Sequence, residues 1–552
     1  MIIAGGQRLN DQMELINALN VFPVPDGDTG TNMNMSFQSG VENLKAASAT
    51  NVGDLAGALA KGLLMGARGN SGVILSQIFR GFSQSVAGKA TLDAQDFVDA
   101  FAAGVESAYK AVMKPVEGTI LTVAREAALR GAKKIQKTDN IIEIMQSIVT
   151  GAEKSLAKTP DLLPVLKQVG VVDSGGKGLL AVYEGFLAAL KGEAVIHEGK
   201  TQEHAHAMFE DGAENPMTLE EITFGYCTEI MVKIGQGPTT IKAFDYDRFR
   251  ETLNAKGDSL LVVADDEIVK VHIHTENPGE IMQLGQEFGE LIKIKVDNMR
   301  EQVRNLESQE ASLQNKEDQV PAPSPQGLQV NLPKKDFAII AVAAGQGIMD
   351  LYKGMGVDYV LSGGQTMNPS TEDFIKAMET VNANAFILLP NNKNIIMAAE
   401  QAAQVSEVPT VVIPTTTIPQ GLASLMGFNP DASLSENQAN MAALLASVKS
   451  GAITYSIRDT EIDGVAIAKD DFMGIIDGKI QVSTADATEA LKQTLRLMLD
   501  EDSEIVTLIL GQDGDQEMLD QVIAEIQDGF DQVEFEIVQG DQPVYHYLIS
   551  VE

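Results

Sequence analysis

Basic residues are scarce in this chain: 41 Lys and Arg stand against 77 Asp and Glu, a formal net charge of −36 at pH 7. A surface of that sign repels phosphodiester backbones and anionic headgroups, which argues against nucleic acid and against stable membrane insertion. Cysteine is scarcer still, one in 552 residues, so no internal disulfide framework can form. That usage points to a cytoplasmic protein. No apolar run approaches the roughly 18–20 residues a membrane span requires. The apolar start Met1-Ile2-Ile3-Ala4-Gly5-Gly6 is short and lacks the basic flank of a signal peptide. Tryptophan is absent, which decides nothing about function.

What is present is ordinary globular composition, 44% hydrophobic and 21% charged. A length of 552 residues implies three or four domains. Over residues 1–200 the pattern is helical: Phe97, Phe101, Val105, Tyr109 and Val112 recur at helical spacing, after Thr91 as a possible N-cap. Similar periodicity runs through 55–64, 73–82, 141–156 and 179–190, with Gly-rich breaks between. Residues 192–218 read as a polar connector. In 215–300 the period changes to alternation along Ile222, Phe224, Tyr226, Thr228, Ile230, Val232 and Ile234. A helix (245–255), strands 259–264 and 267–274 across an Asp265-Asp266 turn, a helix (279–289) and a strand (291–296) follow. That order, βαββαβ, predicts a small α+β domain of ferredoxin-like type. Residues 307–335 hold Pro-Ala-Pro-Ser-Pro and form the clearest linker. In 336–552 short apolar strands at 337–343, 359–362, 385–389 and 410–414 alternate with helical patterns, which predicts an α/β domain with a largely parallel sheet.

The segment Asn20-Val-Phe-Pro-Val-Pro-Asp26-Gly-Asp28-Thr29-Gly30-Thr31-Asn32 gathers two carboxylates, hydroxyls and amides on a stiffened turn. Such hard oxygen ligands suit Mg²⁺ bound together with substrate phosphates; a plain Asp-Gly turn between helices is the bland alternative. An EF-hand is excluded, because the twelfth position counted from Asp26 is Phe37 where an acidic ligand is required. In Arg68-Gly69-Asn70-Ser71-Gly72-Val73 polar residues lie where a helix begins, placing Ser71 and backbone N–H groups to bind phosphate, or simply to cap the helix. Glu117-Gly118-Thr119 and Asp173-Ser174-Gly175-Gly176 have the same character. No Walker A pattern occurs, so a nucleotide site here lies outside the P-loop class.

These four motifs, in this order and spacing, resemble the ATP-binding L-type (DAK2) domain of dihydroxyacetone kinases, and the whole chain resembles the ATP-binding kinase subunit of bacterial fatty acid kinase. The resemblance implies an N-terminal eight-helix barrel that binds ATP through two Mg²⁺ ions. It implies that Asp26 and Asp28 are the magnesium ligands at the reacting centre, assisted by Thr31. Asn20 stands near where the dihydroxyacetone kinase pattern has a third aspartate, and an amide oxygen is a weaker ligand than a carboxylate. Asn70, Ser71 and Gly72 would cradle phosphate, Gly118 and Thr119 would lie near phosphate or base, and Asp173 and Gly175 would line the nucleotide pocket. Relatives of this kind usually begin with a longer first helix, so the start here is either truncated or abbreviated. The implied reaction transfers the γ-phosphoryl group to a fatty acid presented by a separate DegV-like lipid carrier, giving an acyl phosphate for phospholipid synthesis. Family members are homodimers.

On strand 267–274, His272 and His274 share a face by period-two alternation, and the sole cysteine, Cys227, lies on another strand of the same sheet. One Cys and two His suit Zn²⁺; two surface histidines and a buried cysteine are the alternative. The family's middle domain is similar in carrying a Cys and a His-x-His. His204, His206 and His546 read as solvated. The loop Ser362-Gly363-Gly364-Gln365-Thr366-Met367-Asn368-Pro369-Ser370-Thr371 is either a ligand loop at a strand's carboxyl end or a helix cap at Ser370 or Thr371. By resemblance this C-terminal domain is a DegV-like lobe that docks the carrier. Two other readings stay open: a dihydroxyacetone (glycerone) kinase, and a nucleotide-sensing scaffold without catalysis.

Overall fold

Helix Thr29–Ala46 shows how the N-terminal part is built. Met33, Phe37 and Val41 recur every four residues and are all buried, so one stripe of the helix faces inward. The computed structural model describes residues 1–20, 27–112, 114–193, 224–238, 240–242, 244–264, 268–298, 300, 334–364, 367–462 and 464–552. Among them, eight helices of ten residues or more occupy the N-terminal part: Ile2–Asp11, Thr29–Ala46, Val52–Met65, Gly69–Ser85, Ala94–Ala111, Ile120–Lys134, Ile141–Leu156 and Ser174–Lys191. Each packs on the next, and the last closes on the first. Inside the ring lie Leu9, Met33, Phe37, Leu63, Leu75, Phe79, Phe101, Tyr183 and Phe186. Phe79 meets Phe37 and Phe186 edge-on, at 5.4 and 6.2 Å between ring centres. The helix after Thr91 starts later than periodicity suggested. Asp93 is its cap, in a reciprocal capping box with Asp96, because a carboxylate there reaches the Asp96 N–H at 2.8 Å.

Two compact units share the chain, Met1–Ile196 with Val330–Glu552, and His197–Gln329. The second unit has strands β1 (Tyr226–Ile234), β2 (Gly257–Ala264), β3 (Ile268–Thr275) and β4 (Gly289–Asn298), with helices Tyr246–Asn254 and Pro278–Gln286, in the order βαββαβ. The sheet runs β2-β3-β1-β4 and every pairing is antiparallel. Ile230, Val232, Val271 and Ile273 pack with Phe249, Leu253, Ile281 and Phe288 in one core. Asp265-Asp266, His204 and His206 lie outside the described residues.

Two sheets form the C-terminal part. The parallel one, ordered β6-β5-β7-β8, comprises β5 (Ala338–Ala343), β6 (Tyr359–Ser362), β7 (Phe386–Leu389) and β8 (Thr410–Val412). The expectation of a largely parallel sheet holds for these strands and fails for the second sheet, ordered β13-β12-β9-β16-β14-β15. There β9 (Lys449–Tyr455), β12 (Phe472–Ile476), β13 (Lys479–Thr484) and β16 (Tyr547–Val551) pair antiparallel, and only β14 (Ile505–Leu510) with β15 (Glu534–Gln539) runs parallel. The turn Asp477-Gly478 joins β12 to β13 with φ of 47° and 77°, the mirror-image turn that matches strand twist. A small hairpin, β10 (Thr460–Ile462) with β11 (Val465–Ile467), completes the strands. His546, read as solvated, instead packs against Phe472, 5.4 Å between ring centres, and burial lowers its pKa.

Ala67 and Val73 of the helical part are buried in the same core as Phe374, Ala377, Ile395, Ala398 and Ala402 of the C-terminal part. Buried Gln77 donates to Gln401 Oε1 at 3.2 Å, and Gln401 Nε2 donates to the Leu64 carbonyl at 2.7 Å. The C-terminal part is thus packed onto the helix that begins at Gly69. No helix among the described residues is long and apolar enough to cross a membrane.

Candidate functional site

Four helices start at the four motifs. Their N-caps are Asp28, Arg68, Thr119 and Asp173. Helix starts expose backbone N–H groups and carry partial positive charge, so a cluster of them forms an anion-binding surface. Glycines report how close they stand. A methyl group placed on Gly175 would lie 3.4 Å from Ser71 Oγ, 3.4 Å from Asp173 Oδ2 and 3.3 Å from Ile120 Cβ. One placed on Gly69, whose φ is 57°, would lie 2.9 Å from the Asn32 amide nitrogen. At Gly72 it would strike Ser36 Oγ at 2.3 Å. The structure therefore brings together Asp28, Asn70, Ser71, Gly72, Thr119, Asp173 and Gly175.

Asp28 does not cap its own helix. Asn17 does that instead: its Oδ1 accepts from the Gly30 N–H at 2.7 Å and the Thr31 N–H at 3.2 Å, and its Nδ2 donates to Thr31 Oγ1 at 3.1 Å. The Asp28 carboxylate is left to other partners. Burial pushes it up to about 6, against donation from Asn32 and Asn368, which favours the charged form. Asn368 Nδ2 donates to Asp28 Oδ2 at 2.5 Å. Asp26 lies outside the described residues. Asn20 stands beside Gly27, where an added methyl would lie 3.8 Å from Asn20 Cβ, and its backbone carbonyl accepts from Arg458. Thr31 spends its hydroxyl on Asn17.

Asp173 caps its helix through the Gly176 N–H, 2.7 Å from Oδ2, and also accepts from the Ile120 N–H. Burial pushes this carboxyl up to about 6 as well. Gly118, with φ of 84°, donates its N–H to Thr122 Oγ1 at 2.9 Å and packs against Leu162 and Leu163. Thr119 Oγ1 donates to the Val116 carbonyl at 2.8 Å. Glu117 is engaged by Arg125, at 2.6 and 2.9 Å to its two oxygens, which holds it below the usual carboxylate range. Asn70 Nδ2 reaches Asn394 Oδ1 at 3.4 Å, while its own Oδ1 is buried without a partner.

The C-terminal part contributes directly. Ser370, read as one of two possible caps, is the N-cap of helix Thr371–Thr380, in a capping box with Asp373. Its loop docks on the Arg68 turn: Arg68 Nη1 donates to the Asn368 carbonyl at 3.2 Å, Arg68 Nη2 lies 3.4 Å from Asp373 Oδ2, and the Thr371 N–H donates to the Ala67 carbonyl at 3.2 Å. Beyond it a cavity of about 650 Å³ opens at the carboxyl ends of the parallel strands, lined by Gly363, Gly364, Asn391, Asn392, Asn394 and Asn20 among others. Sequence reasoning missed Asn17 and the role of Asn368. Asn17 carries a weak signal, an amide shortly before a helix start; Asn368 lies in the loop read as a ligand loop or a cap, but its partner, 340 positions away, has no local signal.

In the second unit, Cys227 is the register partner of His274, and Glu229 of His272. Asp297 pairs with Cys227 on the other side. His274 is buried. The side chains of Cys227 and His272 lie outside the described residues, and among the described residues no group of three His, Cys, Asp or Glu is placed to hold a metal ion.

The site residues present suit a magnesium nucleotide: a half-buried carboxylate, an orphaned amide oxygen on Asn70, and helix starts too tight for side chains. Models of three known domains match the chain: the DAK2 domain over residues 23–188, the FakA-like middle domain of fatty acid kinase over 223–306, and the FakA-like C-terminal domain over 338–552. Uncharacterized proteins of Staphylococcus saprophyticus and of Staphylococcus aureus are each 50% identical over 553 residues, covering 100% of this chain and 98% of theirs. Among solved structures, the dihydroxyacetone kinase of C. freundii with AMP-PNP and Mg²⁺ aligns at a TM-score of 0.28, with 19% identity over 34% of this chain and 33% of its own. The Streptococcus pneumoniae fatty acid kinase B3 protein loaded with linoleic acid aligns at 0.27, with 10% identity over 39% of this chain and 99% of its own. With half of its residues identical to full-length relatives and the three domain models in sequence along it, the chain belongs to the FakA-like family of fatty acid kinase subunits.

Proposed function

We propose that this protein is the ATP-dependent phosphotransferase subunit of a fatty acid kinase, acting on a fatty acid held by a separate DegV-like lipid-binding protein and yielding an acyl phosphate for phospholipid synthesis. The observation that carries this reading is the convergence of helix starts at Asp28, Arg68, Thr119 and Asp173 around the half-buried carboxylate of Asp28. In this reading Asp26 and Asp28 hold two Mg²⁺ ions, with Asn20 and Thr31 nearby, and Asn70, Ser71, Gly72, Gly118, Thr119, Asp173 and Gly175 receive the nucleotide. Bound magnesium supplies charge neutralisation between the phosphates. The chain itself positions: the Gly69 and Ser174 helix starts direct N–H groups at phosphate oxygens, and Asn17 fixes the turn that presents Asp28. A carboxylate acceptor is already ionised near neutral pH, so no general base is required. The ring of helices supports the eight-helix barrel reading, and the order β2-β3-β1-β4 supports a ferredoxin-like middle domain.

Purified protein mixed with a lipid-loaded carrier and ATP should release acyl phosphate, and free fatty acid alone should not turn over. Asp26→Ala and Asp28→Ala should each lower transfer at least about a hundredfold, the scale of losing an electrostatic contact made in the transition state. If both variants keep wild-type ATP affinity and turnover, the reading is wrong. A glycerone kinase with a covalent histidine has little support, because the single histidine of residues 336–552 is His546, packed against Phe472 and Tyr455. A nucleotide-sensing scaffold would bind ATP in the same mixture and give no product. Zinc at Cys227, His272 and His274 finds no support among the described residues, and metal analysis of the purified protein tests it. Light scattering tests the homodimer.

A further inference from the structure

We propose that Asn368, supplied by the C-terminal part of the chain, is a positioning residue for the metal-binding carboxylate of Asp28; this rests on the reading of the site given above. Asp28 stands at a helix start and leaves the capping to Asn17, so its carboxylate is free to be aimed elsewhere. Asn32, one turn along the same helix, also donates to it, and the group that reaches it from the C-terminal part is the Asn368 amide, 2.5 Å from Oδ2 and itself only 1% exposed. A carboxylate held at one oxygen has its torsion fixed and offers the other oxygen in a set direction. Donors of this kind behind a ligand tune metal affinity without touching the metal.

The placement of Asn368 does not depend on its bond to Asp28. The Gly364 N–H donates to the Met367 carbonyl at 2.8 Å, which closes the loop. The Ser370–Asp373 capping box fixes the following helix, and Arg68 grips both the Asn368 carbonyl and Asp373. The Thr371 N–H bonds to the Ala67 carbonyl. Removing the Asn368 side chain therefore leaves the docking of the loop in place and takes away one donor to Asp28.

The test uses the full-length chain, with Mn²⁺ as the probe and a non-hydrolysable ATP analogue, and reads free Mn²⁺ by electron paramagnetic resonance. Asn368→Ala should weaken Mn²⁺ binding about tenfold, the lower end of what loss of such a donor costs. Binding of the analogue without divalent cation should be unchanged, and the melting temperature should fall by no more than the loss of one buried hydrogen bond. Asn368→Leu, nearly isosteric and without a donor, should weaken Mn²⁺ to the same extent, so the comparison survives if the alanine variant fails to fold. Wild-type Mn²⁺ affinity in both variants overturns the proposal. Absence of Mn²⁺–analogue binding in the wild type would overturn the nucleotide reading itself, and this inference with it.

Discussion

Asp173 holds together two helix starts with one carboxylate, and the fold makes that carboxylate costly to ionise. Its pKa rises from 3.8 to about 6 because burial outweighs the Gly176 and Ile120 N–H donors. An acid whose folded pKa is raised contributes most stability below its unfolded value and loses that contribution as pH rises through the folded one. Over the full titration that rise corresponds to about 3 kcal/mol. Wild type should therefore lose about 2 kcal/mol relative to Asp173→Asn between pH 4 and 7, read from urea unfolding of metal-free protein. Parallel pH profiles would show that Asp173 titrates normally. Gly30 offers a steric counterpart. A methyl there would come within 2.2 Å of the Met13 carbonyl, so Gly30→Ala should cost about 1–3 kcal/mol of stability. Both residues stand out in the sequence as members of motifs, and neither the burial of one nor the crowding of the other does.

Asn17 shows what a local pattern can and cannot say about helix Thr29–Ala46. Asn17→Ala removes the acceptor for two N–H groups and should destabilise the protein by about 1–2 kcal/mol. ATP affinity in the presence of Mg²⁺ should fall as well; retention of full affinity would mean that the turn holds itself. Helix Ile141–Leu156 and strand Tyr359–Ser362 match the boundaries expected from periodicity; the helix buries one face through Ile144, Met145, Ile148 and Val149 and starts at the Asn140 cap. The β9–β13 region went unread, although Asp477-Gly478 between apolar runs is a strong hairpin signal. The parallel strands before it set the wrong expectation.

The helical and C-terminal parts share a buried core around Ala67, Val73 and Phe374, and the Gln77–Gln401 pair lies within the junction. Cooperative units follow such shared cores. Calorimetry should therefore show residues 1–193 and 334–552 unfolding in one transition, with the 224–300 unit free to melt in its own. Independent melting of the helical part would contradict that. Residue types were enough to mark the four motifs as helix starts, because helix starts are written in local residue types. Acidic charge and the near absence of cysteine give expectations about partners without any coordinates. Only the tertiary structure decided that Asn17 frees Asp28 from capping and that Asn368 then holds it. Those contacts join segments far apart in the chain, and their strength comes from burial, which a single sequence does not spell out.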